Sequence, residues 1–263
     1  MNETYKVQVQ DLVDDLKAVF THAGLGGEAG EYKLLTQSFL YKFLNDKFLY
    51  QAKVLDESNT YENLLAMSED DYDWLLEDIG ISTAWLKPDQ LIETLHRQQN
   101  EATFYESFEN TLNQIAIDNN DIFSVHTDGD TAIRLFDERL ITDTISDSSK
   151  RNEVAKAIIN LLARVKFDET IFSQGFDFFS TLFEYMIKDY NKDGGGKYAE
   201  YYTPHSVAKI IADILVGNDQ PSNVRIYDPS AGSGTLLMNL ASRIGVDKTT
   251  VYSQDISQKS SNL

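Results

Sequence analysis

The chain has 263 residues, enough for one large domain or two modest ones. At 42% hydrophobic and 25% charged it has an ordinary globular composition, and with no cysteine it excludes disulfides, thiolate metal sites and cysteine catalysis. The formal net charge is −19, unevenly spread: residues 1–150 hold 29 acidic against 11 basic side chains, and residues 151–263 hold 13 against 12. An acidic first half repels nucleic-acid phosphates, so any contact with DNA is expected elsewhere. Such a half is either a solvated, solubilising face or a docking surface for a basic partner.

Met1 to Tyr5 show no basic region followed by an apolar core, and no apolar run is long enough to span a bilayer. A cytoplasmic location is the expectation. The first two-thirds read as helical. Leu34, Leu35, Phe39, Leu40, Phe43, Leu44, Phe48 and Leu49 recur every three to five residues, expected along one face of a helix. Pro88 starts a second helical run, expected to continue from Asp89 to about Ile117 on Leu91, Leu95, Phe104, Phe108, Leu112 and Ile115. Residues 152–165 and 176–190 carry two further apolar faces. Helical periodicity accounts for the aromatics of these segments as core.

Near residues 191–202 the composition changes. Gly194, Gly195 and Gly196 mark a mobile connection, and Tyr198 stands where a phosphate loop would need Ser or Thr after Gly196-Lys197. Thr203 then reads as the N-cap, and Pro204 as the first residue, of a helix over about 204–216. Its expected buried face is Val207, Ile210, Ile211 and Ile214. A turn around Asn218 to Pro221 leads to a strand over 224–228, the run Asp228-Pro229-Ser230-Ala231-Gly232-Ser233-Gly234, a helix to about Ile244, and a second strand over 250–254. Strand, glycine turn, helix and strand make one βαβ unit, the opening of a doubly wound sheet.

The glycines let backbone approach a ligand, and the following helix N-terminus favours an anionic group. The turn opens with a carboxylate, Asp228, which a phosphate-binding loop would avoid. Leu237 occupies the place of the third glycine of a dinucleotide fingerprint. Asp255 closes the second strand, where doubly wound folds place a carboxylate for ribose hydroxyls. A ligand with an ammonium, a carboxylate and a ribose suits this set, which favours S-adenosylmethionine over NAD or FAD. His22, His96, His126 and His205 are scattered, so no metal site and no Ser-His-Asp arrangement is expected.

Three ordered segments carry a family resemblance: Glu200-Tyr201-Tyr202-Thr203-Pro204, Asp228 to Gly234, and Gln254-Asp255-Ile256. Together they resemble the modification (methyltransferase) subunit of type I restriction–modification systems, an adenine-N6 DNA methyltransferase family. Leu40-Tyr41-Lys42-Phe43-Leu44-Asn45-Asp46 is similar to part of that subunit's N-terminal domain, and Phe176 to Tyr190 to its lead-in to the catalytic domain. The resemblance implies an α plus α/β protein. An acidic, all-helical domain (1–168) precedes the start of a Rossmann-like, S-adenosylmethionine-dependent methyltransferase domain (169–263).

By resemblance, Tyr202 and Thr203 line the methionine end of the donor. Asp228, Pro229, Ser230, Gly232, Ser233 and Gly234 hold its amino-acid moiety, and Asp255 its ribose. The family moves the methyl group to the amine of an adenine flipped from the duplex, using an (Asn/Asp)-Pro-Pro-aromatic tetrapeptide. The four prolines here, 88, 204, 221 and 229, are never adjacent, so that tetrapeptide is absent and no catalytic residue is assigned. The family's partners are DNA, a specificity subunit and a restriction subunit. One βαβ unit cannot cover both faces of a parallel sheet, so the sequence is expected to be truncated at its C-terminus. Two other functions fit less of the sequence: a non-catalytic interaction module docking on a specificity subunit, and a small-molecule methyltransferase.

Overall fold

The structure, a computed structural model, describes residues 3–27, 29–123, 125–126, 132–172, 203–232 and 234–255. The expected elements over 176–190 and the glycine-rich connection at 191–202 lie outside them. The chain divides into two compact units, Asn2–Ser173 and Gln174–Leu263.

The first unit is built from helices: α1 (Glu3–His22), α2 (Ala29–Leu55), α3 (Tyr61–Ala66), α4 (Glu69–Ile79), α5 (Ile92–Gln98), α6 (Phe104–Asp118), α7 (Asn120–Phe123), α8 (Leu140–Thr144), α9 (Arg151–Arg164) and α10 (Glu169–Phe172). A two-residue antiparallel pair, β1 (Val125–His126) with β2 (Ala132–Ile133), had no legible pattern in the sequence. No described helix is long and apolar enough to cross a membrane.

The long helix α2 is buried on more than one face, which corrects the single face expected from the spacing of its apolar residues. Leu34, Leu35, Phe39, Leu44 and Phe48 lie in the core, and so do Ser38, Lys42, Asn45 and Asp46. A helix surrounded by protein cannot keep its polar groups in water; Lys42, Asn45 and Asp46 find internal partners, whereas the buried Ser38 hydroxyl has none among the described residues. Lys42 Nζ reaches the Asp46 carboxylate at 2.8 Å, and Asn45 Nδ2 donates to Asp46 Oδ1 at 2.8 Å. Asp46 Oδ2 accepts the backbone N–H of Phe167 at 2.7 Å, and Asn45 Oδ1 accepts that of Ile92 at 2.9 Å. The segment Leu40 to Asp46 is thus a buried clasp joining α2 to the start of α5 and to the segment after α9. Burial pushes the Lys42 ammonium below its ordinary value, and the Asp46 carboxylate opposes that push.

The helical run expected from Asp89 to Ile117 is two helices. Pro88–Gln90 form a single 3₁₀ turn, α5 ends at Gln98, and α6 begins at Phe104. Side chains of α9 hold the break open. Asn152 Oδ1 accepts the N–H of Tyr105 at 3.0 Å while its amide donates to the Ala102 carbonyl, and Asn160 exchanges two hydrogen bonds with Gln99. Tertiary partners for the freed backbone groups override the local helical pattern.

Two phenols are buried with carbonyl acceptors, Tyr41 on Gln90 at 2.6 Å and Tyr72 on Leu86 at 2.7 Å. Burial, and then the charge of Asp89, raises both above the ordinary phenol value. The unfolded chain ionises these groups near pH ~10 while the folded chain keeps them neutral. Above that pH the unfolded state therefore binds fewer protons, and stability falls as pH rises. Lys42 acts in the opposite sense between its lowered value and its ordinary one. Tyr41→Phe with Tyr72→Phe is expected to lower Tm at pH 8 through two lost hydrogen bonds, yet to flatten the decline of Tm above pH ~10. An unchanged decline in thermal melts would show that other groups govern alkaline unfolding.

The second unit contains α11 (His205–Val216), β3 (Val224–Asp228), α12 (Thr235–Ile244) and β4 (Thr249–Ser253). Strands β3 and β4 pair in parallel, with Asp228 opposite Ser253. β4 begins and ends one residue earlier than its sequence suggests. Ile226 packs on Leu237 and Ala241 of α12, with Val224, Leu240 and Ile244 around them.

Two expectations for α11 are corrected. Pro204, not Thr203, occupies the N-cap position, and its carbonyl accepts from Val207 and Ala208. The buried face is Ala208, Ala212 and Val216, whereas Val207, Ile210, Ile211 and Ile214 are 45%, 59%, 39% and 74% exposed. Small side chains let α11 lie close on α12, and Arg243 fixes the far end by bonding Asp213 Oδ1 (2.7 Å) and the Gly217 carbonyl (2.8 Å). Apolar periodicity alone could not distinguish the alanine face from the isoleucine face.

Candidate donor-binding site

The site grows from the end of β3. Asp228 closes the strand, and its Oδ1 accepts the N–H of Ser230 at 2.9 Å, which turns the chain sharply across Pro229. The Asp228 carbonyl accepts from Gln254 N at 3.0 Å, and the Gln254 carbonyl accepts from Ala231 N at 2.9 Å. The loop is therefore stitched to the chain leaving β4. Gly232 (φ 55°) and Gly234 (φ 73°) both lie in the left-handed region, which side chains other than glycine resist. At Gly234 a Cβ would meet only Met238 Cγ at 3.9 Å, so backbone conformation and not lack of space calls for glycine there.

Gly234 is the N-cap of α12 and has no side chain to accept the first-turn N–H groups. Those donors and the positive end of the helix dipole point toward the loop, an arrangement suited to a carboxylate. Asp255 stands two residues beyond β4 and is half-buried; its Oδ2 accepts the N–H of Gly232 at 2.8 Å. Asp228 thus ends β3, whereas Asp255, expected at the end of the second strand, lies two residues past the adjacent parallel β4, where it anchors the glycine turn through Gly232.

Of the residues singled out in the sequence, Asp228, Pro229, Ser230, Gly232, Gly234 and Asp255 fall in this one loop and strand-end cluster. Thr203 lies two residues before α11. Tyr202 and Ser233 lie outside the described residues. Asn239 escaped the sequence reading. It is 7% exposed, donates to the Thr235 carbonyl at 2.7 Å, and lies 3.1 Å from His205 Nδ1. It ties the helix that follows the glycine loop to the start of α11, just beyond Thr203-Pro204. An asparagine inside the apolar run Leu236 to Leu240 was the available signal.

The donor and acceptor set suits a ligand that carries an ammonium, a carboxylate and vicinal hydroxyls. A carboxylate at the strand end can meet an ammonium, an uncapped helix N-terminus can meet a carboxylate, and the second strand-end carboxylate can accept from vicinal hydroxyls. Among the described residues no group of three His, Asp or Glu side chains could hold a metal ion.

Residues 174–263 match the model of the N-6 DNA Methylase family. Across 274 aligned positions, covering 97% of this chain and 48% of the relative, the sequence is 24% identical to the type I restriction enzyme MpnII methylase subunit of Mycoplasma pneumoniae. The chain is homologous to type I restriction enzyme methylase subunits. The MjaIX methylase subunit of Methanocaldococcus jannaschii is 25% identical over 138 residues, 48% of this chain and 24% of that protein. The fold matches the crystal structure of a type I restriction–modification methyltransferase subunit from Streptococcus thermophilus, with a TM-score of 0.67 at 21% identity. That match covers 99% of this chain and 54% of the other. The chain spans about half the length of these relatives or less. The helical unit followed by a parallel βαβ unit is the fold expected from the sequence.

Proposed function

We propose that this chain is the donor-binding portion of an adenine-N6 DNA methyltransferase subunit of a type I restriction–modification system. The observation that supports the reading is the pair Asp228, ending β3, and Asp255, just past the adjacent β4, beside a glycine turn that opens a helix with Gly234 at its N-cap. Asp228 holds the ammonium of S-adenosylmethionine, the first turn of α12 faces its carboxylate, and Asp255 accepts from its ribose. Tyr202, Thr203, Pro229, Ser230, Gly232, Ser233 and Gly234 complete the wall around the amino-acid end. The bound donor would supply an electrophilic methyl group on a sulfonium. These residues orient it and perform no proton transfer themselves.

The family's (Asn/Asp)-Pro-Pro-aromatic tetrapeptide is not among these 263 residues, so the target adenine has no amine acceptor here. The chain is expected to bind the donor and not to methylate. Equilibrium dialysis with labelled S-adenosylmethionine should give saturable binding displaced by S-adenosylhomocysteine and not by NAD. Displacement by NAD instead would indicate a dinucleotide site. Incubated with adenine-containing duplex, labelled donor and the specificity subunit of its system, the chain should leave no N6-methyladenine. Methylation above background would place the chemistry in residues other than the tetrapeptide.

Assembly with a specificity subunit, a restriction subunit and DNA follows from the same reading, with sequence read by the specificity subunit. The charge balance favours protein contact over phosphate for the first half of the chain.

A further inference from the structure

The segment 54–86 holds nine carboxylates and no Lys, Arg or His. All nine are exposed. In their midst Trp74 stands 67% exposed on α4, and Ile81, at the foot of that helix, is 80% exposed. The other tryptophan of the chain, Trp85, donates its indole N–H to the Gly80 carbonyl at 2.8 Å and is half-buried. Helical geometry makes positions three and four away the neighbours of a side chain. For Trp74 those four positions are Asp70, Asp71, Glu77 and Asp78, so carboxylates surround the indole.

Solubility alone calls for the carboxylates and not for a bare indole among them. Tryptophan is enriched at the centres of protein interfaces, and here it is exposed together with Ile81. The surrounding charge fixes the chemistry of what covers it. A guanidinium or ammonium laid on the indole face gains cation–π attraction while its N–H groups reach the carboxylates at i±3 and i±4. Nucleic acid is disfavoured, because phosphates would meet a continuous negative field.

We propose that the face of α4 centred on Trp74, with Ile81 at its end, docks a basic segment of a protein partner: a helix or loop with arginines beside an apolar side chain. This rests on the assignment of the acidic half to protein contact, and on no part of the donor-site reading.

The probe is a helical arginine-rich peptide with a leucine stripe, titrated calorimetrically into the full chain at physiological salt. Trp74→Ala changes no charge, so it separates docking from diffuse attraction. The proposal expects about tenfold weaker binding for Trp74→Ala. Asp70→Asn with Glu77→Gln should weaken binding as well, whereas Glu101→Gln with Glu106→Gln, the same change of charge in and just before α6, should leave it unchanged. In a Trp85→Phe background the peptide should move the remaining tryptophan emission to shorter wavelength. Equal affinity for Trp74→Ala and the parent chain would overturn the docking face while leaving a protein-binding acidic half in place. No peptide binding, or binding of duplex DNA lost in Trp74→Ala, would overturn both.

Discussion

Asp46→Ala is expected to destabilise the helical unit by about 3–5 kcal/mol. The carboxylate is 6% exposed and accepts from Lys42, Asn45 and the Phe167 backbone. Its removal leaves the Lys42 ammonium, 2% exposed, without its counter-charge and the Phe167 N–H without an acceptor. Breaking one side of a buried pair costs far more than replacing both sides, so Lys42→Met with Asp46→Leu should be markedly milder than Asp46→Ala alone. Asn45→Ala should fall between them, since it frees the Ile92 N–H at the start of α5. Urea titrations of the full chain followed by far-UV circular dichroism measure all three. A loss below about 1 kcal/mol for Asp46→Ala would show that water replaces the clasp.

Asp255→Ala is expected to weaken S-adenosylmethionine binding by about tenfold to a hundredfold, or roughly 1.5–3 kcal/mol. Two contributions combine. The charged acceptor for ribose hydroxyls disappears, and the Gly232 N–H loses the anchor that holds the glycine turn to the strand end. Asp255→Asn retains one oxygen for Gly232 and loses the charge, so its smaller loss of affinity isolates the ribose contribution. Calorimetry with parent, Asn and Ala chains should rank affinity in that order. An Ala variant as tight as the parent would remove Asp255 from the site.

The glycine turn after β3 was legible in the sequence because each of its constraints is local. The acid at a strand end, the glycines at positive φ and the helix that follows all act within seven residues. The strand pairing was legible because two short β-branched runs flanked one helix. What failed to show was set by packing at a distance. The helix break at residues 99–103 depends on Asn152 and Asn160, some fifty residues on. The buried face of α11 was misplaced because close helix contact selects Ala208 and Ala212, while hydrophobicity points to the isoleucines. The polar residues of Leu40 to Asp46 looked like family signature, and only their partners reveal a clasp. Asp255 was expected for ribose; the hydrogen bond by which it pins Gly232 needed the β4 end in view.

The measurement that bears most directly on the donor site is a two-dimensional amide spectrum of the ¹⁵N-labelled full chain, titrated with S-adenosylmethionine. The backbone amides of Ser230, Gly232, Thr235 and Asp255 should shift progressively and saturate together, with those of Leu34 to Phe48 in the helical unit unmoved. S-adenosylhomocysteine should move the same set. Saturating shifts confined to other residues, or none at millimolar donor, would contradict the assignment of the donor to this loop.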